Sequence, residues 1–210
     1  MKSFDSELYF ITDSTGIGEE EFLEMVEGAL KGGVTLLQLR EKEKSTREYI
    51  ELAEKVHGIT KKYNVPLIID DRVDVALAVC AEGVHLGRED MPVDMARKIC
   101  GDKMIIGATT KTVEQAKEAC KNGADYLGVG AIYPTTTKVK TILTSTDTLA
   151  DICGAVNLPV NAIGGLNESN IDVLKGIAIS GICVVSAIAK AERPELAARK
   201  LKKAVKEILK

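Results

Sequence analysis

Short apolar runs alternate with longer amphipathic stretches along the whole chain. The apolar runs have the length of β-strands, whereas the amphipathic stretches repeat their apolar positions with the period of a helix. The predicted strands are residues 8–12, 35–40, 66–70, 83–87, 104–109, 126–130, 159–165 and 181–188. The predicted helices are residues 19–31, 46–63, 73–80, 92–99, 112–122, 146–156, 168–175 and 194–209. The pattern therefore predicts eight βα units.

The strand patterns indicate a parallel sheet that is covered on both faces. Near-continuous apolar runs that alternate with helices are typical of such a sheet. Eight units allow it to close into a (β/α)8 TIM barrel, whereas an open doubly wound sheet more commonly has six strands. We therefore predict an α/β protein with a single (β/α)8 barrel domain over residues 1–210, and an open sheet is the alternative.

The composition argues against several classes of protein. The 28 basic and 31 acidic residues are mixed along the chain, so no continuous basic face indicates nucleic-acid or membrane binding. Residues 1–14 carry acids where a signal peptide needs an apolar core, and the uncharged stretch 176–189 is too short to span a bilayer. The five cysteines are widely spaced without a CxxC pair, which favours a reducing compartment. We expect a soluble, cytoplasmic protein.

Polar residues lie at or just after the ends of the predicted strands. In a barrel these positions meet at one end of the molecule, where the loops that follow the strands build the active site. They are Asp13, Gln38, Arg40, Lys42, Asp70, Asp71, Asp90, Thr109, Gly164, Gly165 and Ser186. Although dispersed in sequence, these residues are expected to converge in space.

Cationic residues near the second strand indicate a site for a polyanion. Gln38, Arg40 and Lys42 are spaced two apart, so their side chains share one face of an extended chain. One polyanion could be surrounded by Arg40, Lys42 and Lys138. The Arg would donate two parallel hydrogen bonds, and each Lys would contribute a single positive charge. The alternative is a solvated run of charges at the entry to a helix.

Carboxylates follow the third and fourth strands. Asp70, Asp71 and Asp90 offer hard oxygen ligands from neighbouring strand ends, and Mg²⁺ commonly takes one or two carboxylates plus substrate phosphates and water. For either acid alone, a cap at the start of the next helix is the better explanation. In combination with the cations, the acids favour a magnesium site.

A long connection follows the sixth strand. Residues 131–148 separate this strand from its helix by far more than the usual two to six residues or so. Thr135, Thr136, Thr137 and Lys138 offer hydroxyl groups, backbone N–H groups and a charge, so the segment is predicted to close over a bound phosphate. A surface loop without function is the alternative.

The loops after the seventh and eighth strands have the composition of a phosphate site. Barrels frequently bind phosphate between these two loops, where glycine lets backbone N–H groups approach the anion. Gly165 and Ser186 occupy the expected positions. A tight turn that requires glycine is the alternative.

Neither histidine indicates nucleophilic catalysis. His57 lies on the second predicted helix and is interpreted as a surface or packing residue, and His85 lies within the fourth strand and is interpreted as a core residue. No Ser/His/Asp arrangement can be assembled from them.

Six motifs together closely resemble the thiamin phosphate synthase family, in order and over essentially the whole chain. The pairing of QLREK with YPTTTK is the most specific part of the resemblance. The motifs are QLREK (38–42), DDR (70–72), GVHLGRED (83–90), GADYLGVGAIYPTTTK (123–138), AIGGL (162–166) and VSAI (185–188).

The resemblance implies an alkyl transferase that joins 4-amino-2-methyl-5-hydroxymethylpyrimidine diphosphate to 4-methyl-5-(2-phosphooxyethyl)thiazole, giving thiamin phosphate and pyrophosphate. It implies Mg²⁺ as cofactor, with Asp71 and Asp90 as ligands, and Arg40, Lys42 and Lys138 as catalytic residues on the diphosphate. The implied pyrimidine diphosphate site comprises Gln38, Leu39, Arg40, Glu41, Lys42, Asp70, Thr109 and Lys138. The implied thiazole phosphate site comprises Thr135, Thr136, Thr137, Gly165, Val185 and Ser186.

The implied reaction explains a site without a catalytic base. The pyrimidine methylene carbon loses diphosphate as a resonance-stabilised cation, and the thiazole nitrogen then attacks it. Three positions depart from the family pattern: Asp70 replaces the usual Asn, Arg88 replaces Gln, and residues 109–111 are Thr-Thr-Lys instead of Ser-Ala-His. An acid at position 70 repels diphosphate unless metal or cations screen it. The departures affect the pyrimidine site more than the reaction itself.

Two other functions fit the same fold. One is a thiazole tautomerase-like isomerase, which has no need of a diphosphate clamp. The other is a non-catalytic barrel that binds thiazole phosphate or thiamin phosphate, an alternative that Asp70 keeps open. The presence of a complete diphosphate clamp favours synthesis, and it comprises Arg40, Lys42, Asp71, Asp90 and Lys138.

Overall fold

A computed structural model describes residues 4–135 and 142–209. In these residues eight parallel strands form a closed barrel. The strands are β1 (Leu8–Ile11), β2 (Leu36–Leu39), β3 (Leu67–Asp70), β4 (Gly83–Leu86), β5 (Ile105–Thr110), β6 (Tyr126–Gly130), β7 (Val160–Ile163) and β8 (Gly181–Val184). The helices are α1 (Glu19–Lys31), α2 (Thr46–Lys62), α3 (Val73–Ala78), α4 (Val93–Cys100), α5 (Val113–Lys121), α6 (Thr146–Ala155), α7 (Ser186–Ala189) and α8 (Pro194–Ile208).

Each strand pairs in parallel with the next strand in sequence, and β8 returns to β1. At the closure Leu8 of β1 lies opposite Ile182 of β8, and on the other side of β1 Ile11 lies opposite Gln38. This closure confirms the predicted (β/α)8 barrel and contradicts the open doubly wound sheet. The domain bounds of residues 1–210 remain a prediction.

The strands separate two hydrophobic cores because successive side chains point to opposite faces of the sheet. Phe10 and Leu37 point outward and pack with the apolar faces of the helices. Tyr9 and Leu36 point into the barrel, where they meet Tyr126. The barrel interior is therefore filled with side chains below its mouth, as in other barrels of this kind.

Side-chain caps fix the start of several helices. Ser45 and Glu48 form a capping box at α2, in which the Ser45 N–H donates to Glu48 Oε2 at 2.9 Å. The Ser45 hydroxyl in turn accepts from the Glu48 N–H. Ser145 caps α6 by accepting from the backbone N–H of Thr148 at 3.1 Å. These caps start the helices at the Ser and Thr positions that the sequence indicates.

Two predicted elements after β7 and in β8 are wrong in detail. The predicted helix at residues 168–175 is a short 3-10 helix, Ile171–Leu174. Asn167 accepts from the N–H of Ser169 at 3.0 Å, and this local turn competes with a regular helix. The predicted strand at 181–188 ends at Val184 because the chain turns into α7, where Ala189 N–H donates to Val185 O at 2.9 Å.

All five cysteines are free thiols. Among the described residues, no helix combines the length and apolar character that crossing a bilayer requires.

Candidate active site

The predicted site residues that the structure describes lie at the carboxyl ends of the strands or directly after them. Because all eight strands are parallel, these ends share one mouth of the barrel. Strands β2 to β5 place there Gln38, Arg40, Lys42, Asp70, Asp71, Asp90 and Thr109, and strands β6 to β8 place Thr135, Gly165, Val185 and Ser186. Thr136, Thr137 and Lys138 lie outside the described residues.

A cluster of charges joins the ends of β2 and β3. Lys42 Nζ lies 2.8 Å from Asp70 Oδ2 and also contacts the carboxylate of Asp71. Arg40 Nε lies 3.9 Å from the same oxygen of Asp70. Burial raises the pKa of Asp70 to about 6, helped by the neighbouring Asp71 and opposed by Lys42. The two cations therefore compensate a buried carboxylate in this structure.

Asp71 and Asp90 bring two carboxyl groups into hydrogen-bond contact from the ends of β3 and β4. Asp71 has a left-handed backbone (φ 60°), and its N–H donates to the carbonyl of His85 at 2.8 Å. Asp90 Oδ2 accepts from the N–H of Gly87 at 2.7 Å. Burial and the hydrogen bond to Asp71 raise the pKa of Asp90. Burial opposes ionisation of Asp71, but the hydrogen bonds from Lys42 and Asp90 and the charge of Lys42 together outweigh it, so the pKa of Asp71 is lowered.

The chemistry of this pair fits a divalent cation. Two adjacent carboxyl groups repel each other when both are ionised, unless a proton lies between them. A bound cation can take the place of that proton and stabilise both carboxylates. Within residues 4–135 and 142–209, no three His, Cys, Asp or Glu side chains form a metal-binding cluster. Mg²⁺ does not need one, because it takes one or two carboxylates and completes its shell with phosphate and water.

A buried polar layer lies beneath the mouth. Gln38 Nε2 donates to Tyr9 Oη at 2.6 Å, and Tyr9 Oη lies 2.7 Å from Tyr126 Oη. His85 Nδ1 lies 3.0 Å from Tyr126 Oη, and His85 Nε2 lies 2.9 Å from Thr109 Oγ1. Burial lowers the pKa of His85 to about 4, so its imidazole is neutral at neutral pH. This layer connects Gln38 on β2 with Thr109 on β5.

The loops after β6 and β7 pack closely against each other. The N–H of Tyr133 donates to the carbonyl of Gly164 at 3.0 Å. Gly165 has a left-handed backbone (φ 64°), and a Cβ there would lie 2.7 Å from Tyr133 Cβ and 2.8 Å from the carbonyl oxygen of Pro134. Only glycine fits without displacement, since both the backbone angle and the space exclude a side chain. Thr135 follows this contact and is partly buried.

The ends of β7 and β8 lie side by side, since the two strands pair through Ile163 and Cys183. Gly165 follows β7, and Val185 and Ser186 follow β8 at the start of the short α7. Gly165 and Ser186 are therefore carried by adjacent elements of the rim.

Two predicted contact residues face away from the centre of the mouth. The side chain of Leu39 is fully buried in the outer core, and its carbonyl accepts from Tyr49 Oη at 2.6 Å. Glu41 Oε2 accepts from Ser14 Oγ at 2.8 Å, and burial raises the pKa of Glu41. A substrate contact of Leu39 would have to come from its backbone.

Sequence reasoning missed Tyr9 and Tyr126 as part of the site. Both lie within strands and were indistinguishable from other apolar residues of those strands. Counting alternate positions from Gln38 on the paired strands is the signal that would have placed their hydroxyl groups inside the barrel.

Comparisons with known proteins agree with this arrangement. A family model described as thiamine monophosphate synthase matches residues 8–188. A thiamine-phosphate synthase from Clostridium tetani is 47% identical over 187 residues, which is 89% of this chain and 90% of the relative. Thiamine-phosphate synthase 2 from Streptococcus pneumoniae is 50% identical over 202 residues, 96% of each chain.

Solved structures give the same result. A thiamine phosphate pyrophosphorylase from Pyrococcus furiosus superposes with a TM-score of 0.89 at 41% identity and covers 98% of both chains. A 3-hexulose-6-phosphate synthase, at 15% identity and a TM-score of 0.69, shares the fold alone.

Proposed function

This chain belongs to the thiamine monophosphate synthase family, and we propose which of its residues bind each substrate and the metal in the family's reaction. It is a thiamine-phosphate synthase, a transferase that joins a small pyrimidine substrate to a small thiazole substrate. The proposals below assign residues, metal and mechanism to that activity.

Arg40 and Lys42 hold the diphosphate of the pyrimidine substrate. The single observation that supports this is that both cations, from the end of β2, converge on the carboxylate of Asp70 at the barrel mouth. Cations that already cluster there need little rearrangement to bind a polyanion. Lys138, which lies outside the described residues, is a third cation for the same group by its place in the YPTTTK motif.

Asp71 and Asp90 hold Mg²⁺. Their adjacent carboxyl groups are the support for this assignment, together with the closeness of Lys42 to Asp71. When bound, the ion neutralises charge on the departing diphosphate.

The bond between the pyrimidine methylene carbon and the diphosphate oxygen breaks first, and the electron pair leaves with the diphosphate. The thiazole nitrogen then donates its lone pair to the methylene carbon, and the new C–N bond completes thiamine phosphate. No proton is removed from the nucleophile, so no general base is required. A neutral, fully hydrogen-bonded His85 is consistent with this mechanism.

The pyrimidine ring binds above the buried layer, with Gln38 and Thr109 as its polar contacts and Asp70 beside them. The phosphate of the thiazole binds at the opposite rim, against Gly165 and Ser186. Val185 and Thr135 border that rim, and Thr136 and Thr137 join it by the sequence motif.

The connection that the sequence predicts to close over a bound phosphate includes residues 136–141, which lie outside the described residues. Thr144 N–H donates to the carbonyl of Ala131 at 2.8 Å, and Lys111 Nζ lies 3.2 Å from the carbonyl oxygen of Ile142. The described residues on the two sides of this connection thus lie close together at the rim.

A cytoplasmic location accompanies this function. Its support is the set of five free cysteines, since a reducing compartment keeps thiols free.

The test is to incubate the purified protein with both substrates and Mg²⁺ and to follow pyrophosphate and thiamine phosphate. We expect the two products in equal amounts. Conversion of the thiazole alone would indicate the isomerase, and retention of unchanged thiazole phosphate would indicate the binding barrel. Either result would overturn the proposal.

A further inference from the structure

Five hydrogen-bonded side chains cross the barrel interior from β2 to β5. Four of them are buried, with exposed fractions of 0% for Tyr9 and Tyr126, 2% for Gln38 and 9% for His85. Thr109, at the other end, is partly exposed. The chain runs in the order Gln38, Tyr9, Tyr126, His85, Thr109.

The hydrogen count fixes the direction of this chain. The amide nitrogen of Gln38 is the atom that contacts Tyr9, so Tyr9 Oη accepts there and gives its single proton to Tyr126 Oη. Tyr126 in turn gives its proton to His85 Nδ1. Because Nδ1 accepts from Tyr126, the N–H of the ring lies on Nε2, which donates to Thr109 Oγ1.

We propose that this chain sets the hydrogen-bond polarity of the pyrimidine pocket, with Thr109 as a donor and Gln38 as an acceptor toward the substrate. The inference rests on the proposed pyrimidine site. Thr109 Oγ1 already accepts from below, so its own proton is left for the substrate. One N–H of the Gln38 amide is engaged with Tyr9, which holds the amide in place and leaves its carbonyl oxygen as an acceptor beside the second N–H. An aminopyrimidine is the matching ligand, because its amino group donates and its ring nitrogens accept.

Tyr9, Tyr126 and His85 are therefore positioning residues that act through the two contact residues. If the hydrogen bonds ran in the opposite direction, Gln38 would present a donor and Thr109 an acceptor. Both would then mismatch the amino group and the ring nitrogen of a pyrimidine held in the same orientation. An unmet polar group in a buried site weakens binding roughly tenfold or more.

Two glycines make room for the chain where it passes β5 and β6. A Cβ at Gly107 would collide with the Tyr126 ring and lie 2.5 Å from His85 Nδ1. A Cβ at Gly128 would lie 3.3 Å from His85 Cε1. Side chains at these positions would separate Tyr126 from His85, so the backbone is shaped to keep the two in contact.

The direction can be measured without any substrate. The protein contains only two histidines, His57 and His85, so ¹⁵N-histidine labelling gives two imidazole spectra. The His85 ring is identified by cross-relaxation with the Cα protons of Gly128. We expect a proton on Nε2 and none on Nδ1. A proton on Nδ1, alone or together with Nε2, would overturn the proposed direction.

The functional consequence is tested with Tyr126→Phe, which removes one hydroxyl from the middle of the chain. We expect the KM for the pyrimidine diphosphate to rise about tenfold or more, with the KM for thiazole phosphate unchanged. The matched control is Tyr63→Phe, which removes a hydroxyl that donates to Glu27 at 3.0 Å on the outer surface. A role in stability alone would raise both KM values or neither, and either outcome would contradict the proposal.

A second pair of variants covers the case in which Tyr126→Phe does not fold. Thr109→Ser keeps the donor, and Thr109→Val removes it at nearly constant shape. We expect the KM for the pyrimidine diphosphate to be about tenfold higher for the Val variant than for the Ser variant. Equal KM values for the two variants would overturn the donor role. Because the NMR readout requires no turnover, failure of this inference is distinguishable from failure of the proposed function.

Discussion

The two halves of the barrel mouth differ in how they can hold an anion. The half formed by the ends of β2 to β4 carries formal charge, with Arg40 and Lys42 set among the carboxylates of Asp70 and Asp71. The half formed by the ends of β7 and β8 carries small residues, with Gly165 in a left-handed backbone beside the start of α7 at Ser186.

In the proposed function, this difference corresponds to the fate of the two substrates' phosphate groups. A diphosphate that leaves gains charge in the transition state, and formal cations stabilise that change. A phosphate that remains on the product only has to be held, and backbone N–H groups and a hydroxyl are sufficient for that. The comparison predicts that charge changes on one half affect turnover, whereas shape changes on the other affect thiazole binding.

Removal of the metal is expected to have the largest effect on turnover. Chelation with EDTA is expected to lower the rate of pyrophosphate release by at least about a thousandfold, because the proposed Mg²⁺ supplies a divalent charge to the leaving group that the Arg and Lys side chains only supplement. Added Mg²⁺ should restore the rate, and thiazole phosphate binding, followed by calorimetry, should be unchanged throughout. Full activity in excess EDTA would contradict Asp71 and Asp90 as ligands.

Lys42→Met is expected to lower kcat/KM for the pyrimidine diphosphate by about a hundredfold to a thousandfold, because the variant loses a cation at the leaving group. Steady-state kinetics with each substrate varied in turn measures this. Lys44→Met is the matched control, since Lys44 is exposed in the same loop. Equal losses in the two variants would argue against a specific role for Lys42.

Gly165→Ala tests the half of the mouth that is formed by the ends of β7 and β8. The new Cβ would lie 2.7 Å from Tyr133 Cβ on a backbone with φ 64°, so we expect the free energy of unfolding to fall by about 1–3 kcal/mol. The KM for thiazole phosphate should rise about tenfold, with the KM for pyrimidine diphosphate unchanged.

Urea unfolding and steady-state kinetics measure these two effects. The control Gly154→Ala lies in α6, where no atom lies within 4 Å of the new Cβ, and it should be neutral or slightly stabilising. A shift in the pyrimidine KM of Gly165→Ala would mean that the two halves are not independent.

Asp70→Asn is expected to have the smallest effect. It tests whether the negative charge in the half of the mouth formed by β2 to β4 limits the binding of diphosphate. It removes a negative charge that holds Lys42 at 2.8 Å, so the cation becomes more available to diphosphate. We expect the KM for the pyrimidine diphosphate to fall about two- to fivefold. Asp94→Asn, at an exposed pair with Lys98, is the control. A large rise in KM would show that the carboxylate itself contacts the substrate.

The fold was predictable because each βα unit is encoded locally. Apolar runs, helix periodicity and Ser or Thr caps identified every strand and most helices. The errors fall after β7 and in β8, where Asn167 forms a side-chain turn and where the chain bends into α7 at Ser186. Both are short features in which local hydrogen bonds and tertiary packing override an apolar pattern.

The shared position of the predicted site residues at one mouth could be predicted from the sequence, but their contacts could not, and their roles stay predictions. Strand-end position was enough to select Arg40, Lys42 and Asp71, because every parallel strand ends at the same mouth. It did not indicate that Lys42 lies between two carboxylates, nor that Tyr9 and Tyr126 are connected to His85. Those contacts join residues that are 29, 117 and 41 positions apart.

The sequence by itself determined the number of βα units, the closure they favour and the mouth at which the predicted site residues lie. Only the tertiary structure decided which side chains touch. The physical reason is that periodicity is a property of neighbouring residues, whereas a hydrogen bond or an ion pair depends on distances of a few ångströms between strands that only barrel closure and register can set.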